Sequence, residues 1–324
     1  MNKDALLEVR SLTKIFRTGT FIKKKEIVAV EDVSFTISVE KPTVLTLAGE
    51  SGSGKSTTAL MTLGFIKPTS GVILYRGKDI WKMRKNDWAR FRREVQAVFQ
   101  DPYSTFNPLH KVDRVLTIPI RKFNLASTPD EEHEIIAKAL ESVGLRGDEV
   151  LGKYPRELSG GQRQRIMLAR AFLLKPNLII ADEPVSMVDA SLRANILNVM
   201  LKLKRDWGIS FLYITHDLST ARYISDDIII MYRGSIMERG PIDDVVLKPL
   251  HPYVQLLVES IPEPDPDKRW ERRIELPKKE VETNSIKGCK FYHRCAHAQQ
   301  RCAEERPRLT DLGGKHQVAC HLYQ

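Results

Sequence analysis

Eight consecutive residues, Gly49-Glu50-Ser51-Gly52-Ser53-Gly54-Lys55-Ser56, constrain this chain more than any other feature. They fit G-x-x-x-x-G-K-[ST] and follow an apolar run, Thr43-Val44-Leu45-Thr46-Leu47-Ala48, that reads as a buried strand. A helix is predicted from about Ser56 to Leu63. Glycines let the backbone curl so that successive N–H groups point at phosphate oxygens, and the helix adds its positive N-terminal end. Lys55 is placed to reach terminal phosphates, Ser56 to ligate Mg²⁺, and Thr57 is expected among the nucleotide-binding residues. An accidental match is expected in roughly one chain of this length in a hundred, and the strand-loop-helix setting makes it rarer still.

The surrounding pattern agrees. Ile27 to Val39 is β-rich, Val72 to Tyr75 is a short strand, and residues from about Trp88 to Leu174 read as mainly helical. Thr128-Pro129-Asp130-Glu131 starts a helix with Thr at the N-cap and Pro at the first helical position. Strands return at Leu178–Ala181, Ser210–Ile214 and Ile228–Tyr232. Alternating strands and helices imply a largely parallel sheet, hence an α/β fold. With 324 residues, 42% hydrophobic and 28% charged, the chain can bury a sizeable core, and the length suggests one large or two unequal domains. No run approaches the roughly 18 apolar residues that would span a bilayer. The start, Met1 to Ala5, has no apolar segment, so no secretory signal is expected. The net charge of +10 sits largely in clusters such as Lys23-Lys24-Lys25 and Arg269, Arg272 and Arg273. These read as solvated surface, and no nucleic-acid partner is expected.

Leu178-Ile179-Ile180-Ala181-Asp182-Glu183 is an apolar strand ending in two acids, where open α/β sheets bind ligands. Asp182 is placed to hold Mg²⁺ through water, and Glu183 to polarise an attacking water. Between the phosphate loop and these acids lies Leu158-Ser159-Gly160-Gly161-Gln162, a helix start whose Ser159 hydroxyl and Gly N–H groups can bind phosphate.

With these motifs in this order the sequence resembles the ATP-binding subunits of ABC transporters, whose signature is LSGGQ. Smaller markers extend the resemblance over residues 7 to about 245. Phe16 matches the aromatic that stacks on adenine, with Phe21 as a rival because residues 17 to 25 look like an insertion. Gln100 matches the loop that contacts Mg²⁺ and senses the membrane partner. Ser186-Met187-Val188-Asp189 matches the loop that crosses between two such subunits, keeping Asp189 but departing from Ser-Ala-Leu-Asp in the middle. His216 matches the histidine that contacts the γ-phosphate. The resemblance implies a phosphate-loop ATPase core with a β-rich N-terminal subdomain and an inserted helical subdomain at about 88–165. It also implies ATP and Mg²⁺, with hydrolysis between two ATPase subunits. The partners implied are a second, related but non-identical ATPase chain, two membrane permease subunits, and indirectly an extracellular solute-binding protein. The location implied is the cytoplasmic face of the membrane, peripherally attached.

Beyond this core, residues 246–288 read as a helix and linker. His251-Pro252-Tyr253-Val254-Gln255-Leu256-Leu257 resembles the C-terminal motif of oligopeptide/dipeptide importer ATPases, and Pro262, Pro264 and Pro266 alternate with acids. Nickel or an oligosaccharide are alternative solutes, and a soluble, non-transport ABC ATPase is the alternative class. Residues 289–324 carry all four cysteines, Cys289, Cys295, Cys302 and Cys320. They lack the close C-x2-C pairs of common zinc sites. Four thiolates can ligate an iron–sulfur cluster or zinc, or remain free thiols. The tail resembles that of dipeptide-importer subunits with a 4Fe–4S cluster, which implies that cluster here.

Overall fold

The computed structural model describes residues 4–18, 25–101, 105–261 and 287–324. Phe21, Lys23, Lys24, the Pro262–Pro266 linker and Arg269, Arg272 and Arg273 lie outside the described residues. In chain order the strands are β1 (Ala5–Thr18), β2 (Lys25–Ser38), β3 (Val44–Ala48), β4 (Ser70–Tyr75), β5 (Lys78–Asp79), β6 (Val95–Val98), β7 (Leu178–Asp182), β8 (Ser210–Thr215), β9 (Asp227–Tyr232), β10 (Ser235–Pro241), β11 (Thr310–Asp311) and β12 (Gln317–Val318). The chain divides into two compact units. One contains Met1–Leu7, Ile37–Val44 and Leu74–Ile214; the other contains Glu8–Thr36, Leu45–Ile73 and Thr215–Gln324.

The first unit is built on the parallel ladder β6-β7-β8, with Val98 opposite Ala181 and Asp182 opposite Ile214. Leu178 to Ala181 and Ser210 to Ile214 are buried throughout, as parallel strands covered on both faces are. β6 interrupts the stretch expected to be mainly helical. Four residues are too few to show a period, and pairing with β7 decides their conformation. The helix Pro129–Ser142 begins as expected: Thr128 Oγ1 accepts from Glu131 N at 3.2 Å. Glu131 reaches back to Ser127 N (2.6 Å), one residue earlier than a standard capping box. Helix Ala190–Trp207 ends at Gly208, whose φ of 67° gives the left-handed C-terminal turn.

In the second unit β3 pairs in parallel with β9 (Leu47 opposite Ile229), and β10 runs antiparallel to β9. The Cys-bearing tail adds to the same sheet: β12 pairs with β10 (Glu238 opposite Val318), and β11 with β12. Ala48, at the end of the strand entering the phosphate loop, shares one core cluster with Ile230, Tyr232, Tyr253, Cys289 and Phe291. The tail is therefore part of the core that carries the loop. Glu238, fully buried on β10, accepts from Leu250 N (3.1 Å), His251 N (2.7 Å) and His316 Nε2 (2.7 Å). It pins the helix Pro252–Glu259 and the tail to one strand. Burial raises its carboxyl above the usual range despite these donors.

His251 caps that helix: its Nδ1 accepts from Tyr253 N at 3.0 Å. The proton must then sit on Nε2, which is buried and has no hydrogen-bond partner among the described residues. Burial pushes the imidazole from its ordinary 6.5 down to about 4. A lowered histidine pKa gives stability that is present above pH 6.5 and is lost as pH falls from there toward 4. Linkage sets the loss at up to about 3 kcal/mol. Urea unfolding at pH 7.5 and 5 should show this acid limb, and His251→Asn, which keeps a capping acceptor, should flatten it. An equally steep limb in the variant would exclude His251 as its source.

Candidate nucleotide-binding site

On the second unit, Gly49 to Ser56 form a compact loop between β3 and the helix Lys55–Thr62. Two of its glycines are sterically obligatory. Gly49 has φ +140°, and an added Cβ would lie 2.1 Å from Met231 O; at Gly54 (φ +99°) it would lie 2.4 Å from Ala29 O. The Lys55 ammonium, on a residue only 5% exposed, donates to Gly49 O and Glu50 O (both 2.8 Å) and Ser53 Oγ (3.2 Å). Ser51, Gly52 and Ser56 are exposed, and Thr57 is half-buried. Gly54 is the N-cap of this helix, in the left-handed region, and gives it no side-chain cap. Glu50 is held twice. Its N–H donates to Tyr253 Oη at 3.0 Å, and both carboxylate oxygens accept from Arg294 Nη1 at 3.0 Å.

His216, also on this unit, is exposed directly after β8. Its neighbours are fixed: Thr215 Oγ1 accepts from Asp217 N (3.0 Å), and the Asp217 carboxylate caps the next helix through Ser219 N (2.9 Å) and Thr220 N (3.3 Å). Phe16 lies half-buried on β1 with the Lys14 ammonium 5.1 Å over its ring.

The first unit carries the other candidates. Asp182 closes β7, and Glu183 follows with φ 46°, a left-handed conformation uncommon for a non-glycine residue. Its N–H donates to Ile214 O (2.9 Å), and its Oε2 accepts from Gln100 Nε2 (2.9 Å). The amide expected near Mg²⁺ is thus found on the carboxylate expected to act on water. In Leu158–Gln162, Leu158 is buried, and Ser159 and Gln162 form a reciprocal capping box (3.2 and 3.0 Å) at the start of helix Gly160–Phe172. A Cβ on Gly160 would make an ordinary 3.6 Å contact with Met187 O, whereas one on Gly161 would crowd Leu192 Cδ1 in helix Ala190–Trp207 at 3.2 Å. Asp189 starts helix Ala190–Trp207 without a side-chain cap bond.

The four cysteines are unbridged thiols. Cys289 N donates to Cys302 O at 2.8 Å. Burial pushes Cys289 up to about 11, with smaller upward contributions from Cys302, Cys320 and Cys295. Burial also raises Cys295 and Cys320. Thiolate at neutral pH there needs a bound cation. Among the described residues no three His, Cys, Asp or Glu side chains form a group that could hold a metal ion. Among them, too, no helix is long and apolar enough to cross a membrane.

The sequence reading missed the tail's hold on the loop through Arg294 and the buried pin Glu238. Tyr253 was visible as part of a motif but without a role.

A phosphate loop that opens a helix, a strand ending in two acids and a glycine-rich capped helix start define an α/β phosphate-loop nucleotide-binding protein. The ABC transporter family profile matches residues 30–186, and the oligopeptide/dipeptide transporter C-terminal region matches residues 237–302. The chain is 43% identical to a probable peptide ABC transporter ATP-binding protein, y4tS, of Sinorhizobium fredii, over 98% of this chain and 90% of that one. It is 40% identical to the oligopeptide transport ATP-binding protein AppF of Bacillus subtilis, over 99% and 98%. A solved dimeric ATP-binding cassette, MJ0796, in a post-hydrolysis state with ADP and Pi, superposes with a TM-score of 0.63 at 25% identity, covering 73% of this chain and 98% of that one. The chain belongs to the ABC transporter family, as one of its ATP-hydrolysing subunits.

Proposed function

We propose that this subunit powers uptake of peptides, working peripherally on the cytoplasmic face of a membrane with a second ATPase subunit and two permease subunits. The observation that carries the solute class is the oligopeptide/dipeptide C-terminal region at 237–302, in a chain similar end to end to peptide-transport ATP-binding proteins. A second subunit is supported by the dimeric state of the similar cassette.

In this reading Lys55 and the N–H groups of the Gly49–Ser56 loop bind the ATP phosphates, Phe16 stacks on adenine and His216 contacts the γ-phosphate. The loop's close-packed glycines and inward-held lysine fit that ligand. Mg²⁺, when bound, offsets charge on the phosphates; Ser56, Asp182 and Gln100 are its proposed holders. Glu183 polarises the attacking water, with Gln100 orienting its carboxylate. Leu158 to Gln162 and Asp189 act on nucleotide held by the second subunit. The 43% and 40% identical relatives are named for peptide transport, so the test is uptake of labelled di- and oligopeptides. Cells lacking this chain should lose uptake, wild type should restore it, and Glu183→Gln should not. Unchanged uptake without the chain would refute the peptide assignment.

For the tail we propose an iron–sulfur cluster on Cys289, Cys295, Cys302 and Cys320, with a structural role. Four unbridged thiols that influence one another's titration suit such a centre in donor chemistry. Zinc on the same four thiols is the alternative reading. Anaerobically purified protein is expected to contain iron and acid-labile sulfide; zinc instead, or neither, would reject the cluster.

A further inference from the structure

The Cys-bearing tail reaches into the phosphate loop, and nothing in the assigned chemistry uses this contact. We propose that Arg294 is a positioning residue of the nucleotide site, neutralising and fixing the Glu50 carboxylate so that the C-terminal segment sets ATP affinity. The proposal rests on the reading that Gly49–Ser56 binds ATP.

Glu50 is the second residue of the loop, and a carboxylate there repels a triphosphate through the same Coulomb term that makes Lys55 attract it. Arg294 offsets that charge. Its Nη1 lies 3.0 Å from both Glu50 oxygens and 3.3 Å from Tyr232 Oη. The guanidinium also sits 5.7 Å from the Tyr232 ring centroid and 5.5 Å from that of Phe291. Packed rings on one side and the carboxylate on the other fix its direction. Tyr253, fully buried in the same aromatic cluster, takes the Glu50 N–H, so backbone and side chain of this residue are both held from the C-terminal segment.

The seat of Arg294 is itself rigid. It lies in the short helix Tyr292–Arg294, where Tyr292 N donates to Cys289 O (3.1 Å) and Cys295 N to Tyr292 O (3.3 Å). Beside it the buried Lys290 ammonium meets Glu31 Oε2 at 3.0 Å, and Arg306 meets the same oxygen at 2.7 Å. Glu31 N donates to Gly234 O (2.8 Å), and Gly234 N donates to Ser53 O (2.9 Å). The tail thus reaches the loop at two points, Glu50 directly and Ser53 through β2 and the β9–β10 turn. Whatever orders Cys289 and Cys295 also orders Arg294.

Equilibrium titration of the full-length chain with ATP tests this. Arg294→Gln is expected to weaken the Kd about fivefold, the size of a partly exposed charge pair. The double variant Glu50→Gln/Arg294→Gln is expected to recover most of that loss, because the repelling charge is gone. Unchanged affinity in Arg294→Gln overturns the proposal. So does a double variant no better than the single one, since a merely structural role would not be rescued at Glu50. Should Arg294→Gln not fold, Arg294→Lys replaces it: loss of the guanidinium fork is expected to weaken the Kd about twofold, Glu50→Gln to erase that rise, and no rise to overturn the proposal. Wild-type protein that binds no ATP would instead fail the assignment of the loop itself.

Discussion

Glu183→Gln should lower ATP turnover at least about 100-fold, the usual contribution of a positioned general base, while ATP still binds. The substitution conserves shape, so the hydrogen bond from Gln100 Nε2 at 2.9 Å can still find a side-chain oxygen. What disappears is the negative charge proposed to draw a proton from the attacking water. The backbone makes the position demanding. With φ 46° and its N–H on Ile214 O, the residue after β7 is held in an uncommon backbone conformation, and the Gln100 amide holds its carboxylate. Turnover, ATP affinity and gel filtration in ATP should be measured together. Lost turnover with retained binding and ATP-trapped dimers is the expected result. Retained turnover would move the role of base to another group.

Gly49→Ala should abolish detectable ATP binding, a loss of at least about 100-fold, and destabilise the fold by about 2–4 kcal/mol. Two costs combine. The φ of +140° is a conformation L side chains rarely adopt, and the new Cβ would lie 2.1 Å from Met231 O. That carbonyl cannot yield easily, because Met231 lies in β9 opposite Ile236 of β10. Relief must come from the loop itself, and movement there displaces Glu50 and the carbonyls that hold Lys55. Gly52→Ala is the informative contrast. Gly52 also has positive φ (+76°), but its Cβ would meet nothing within 4 Å, so it carries strain without collision. Its effect on stability should be about 1 kcal/mol. Equal effects at both positions would mean that the contact with Met231 is not what constrains the loop.

Much of the candidate nucleotide site was legible because the proposed chemistry uses contiguous residues. A phosphate cradle needs consecutive N–H groups, so Gly49 to Ser56 announce it in one glance. The capping box of Ser159 and Gln162 is equally local, and so is the start at Thr128. Parallel strands buried on both faces read as apolar runs, which is why β3, β7, β8 and β9 were found close to their observed ends. β6, β10, β11 and β12 were not. The first and the last two are two to four residues long, and β10 offers only Ile236 and Met237 as large apolar residues, while its Glu238 and Arg239 serve partners elsewhere in the chain.

By itself, then, the sequence determined an α/β phosphate-loop protein of the ABC transporter family, its signature and acidic strand end, and a tail with four thiols. Only the tertiary structure decided that this tail completes the sheet of the unit bearing the loop, that Glu238 pins three segments at zero exposure, and that Arg294 holds Glu50 across 244 residues of chain. Local motifs follow from backbone geometry within a few residues. A charge pair between distant segments exists only once a shared core, here Ala48, Tyr232, Tyr253 and Phe291, has brought them together.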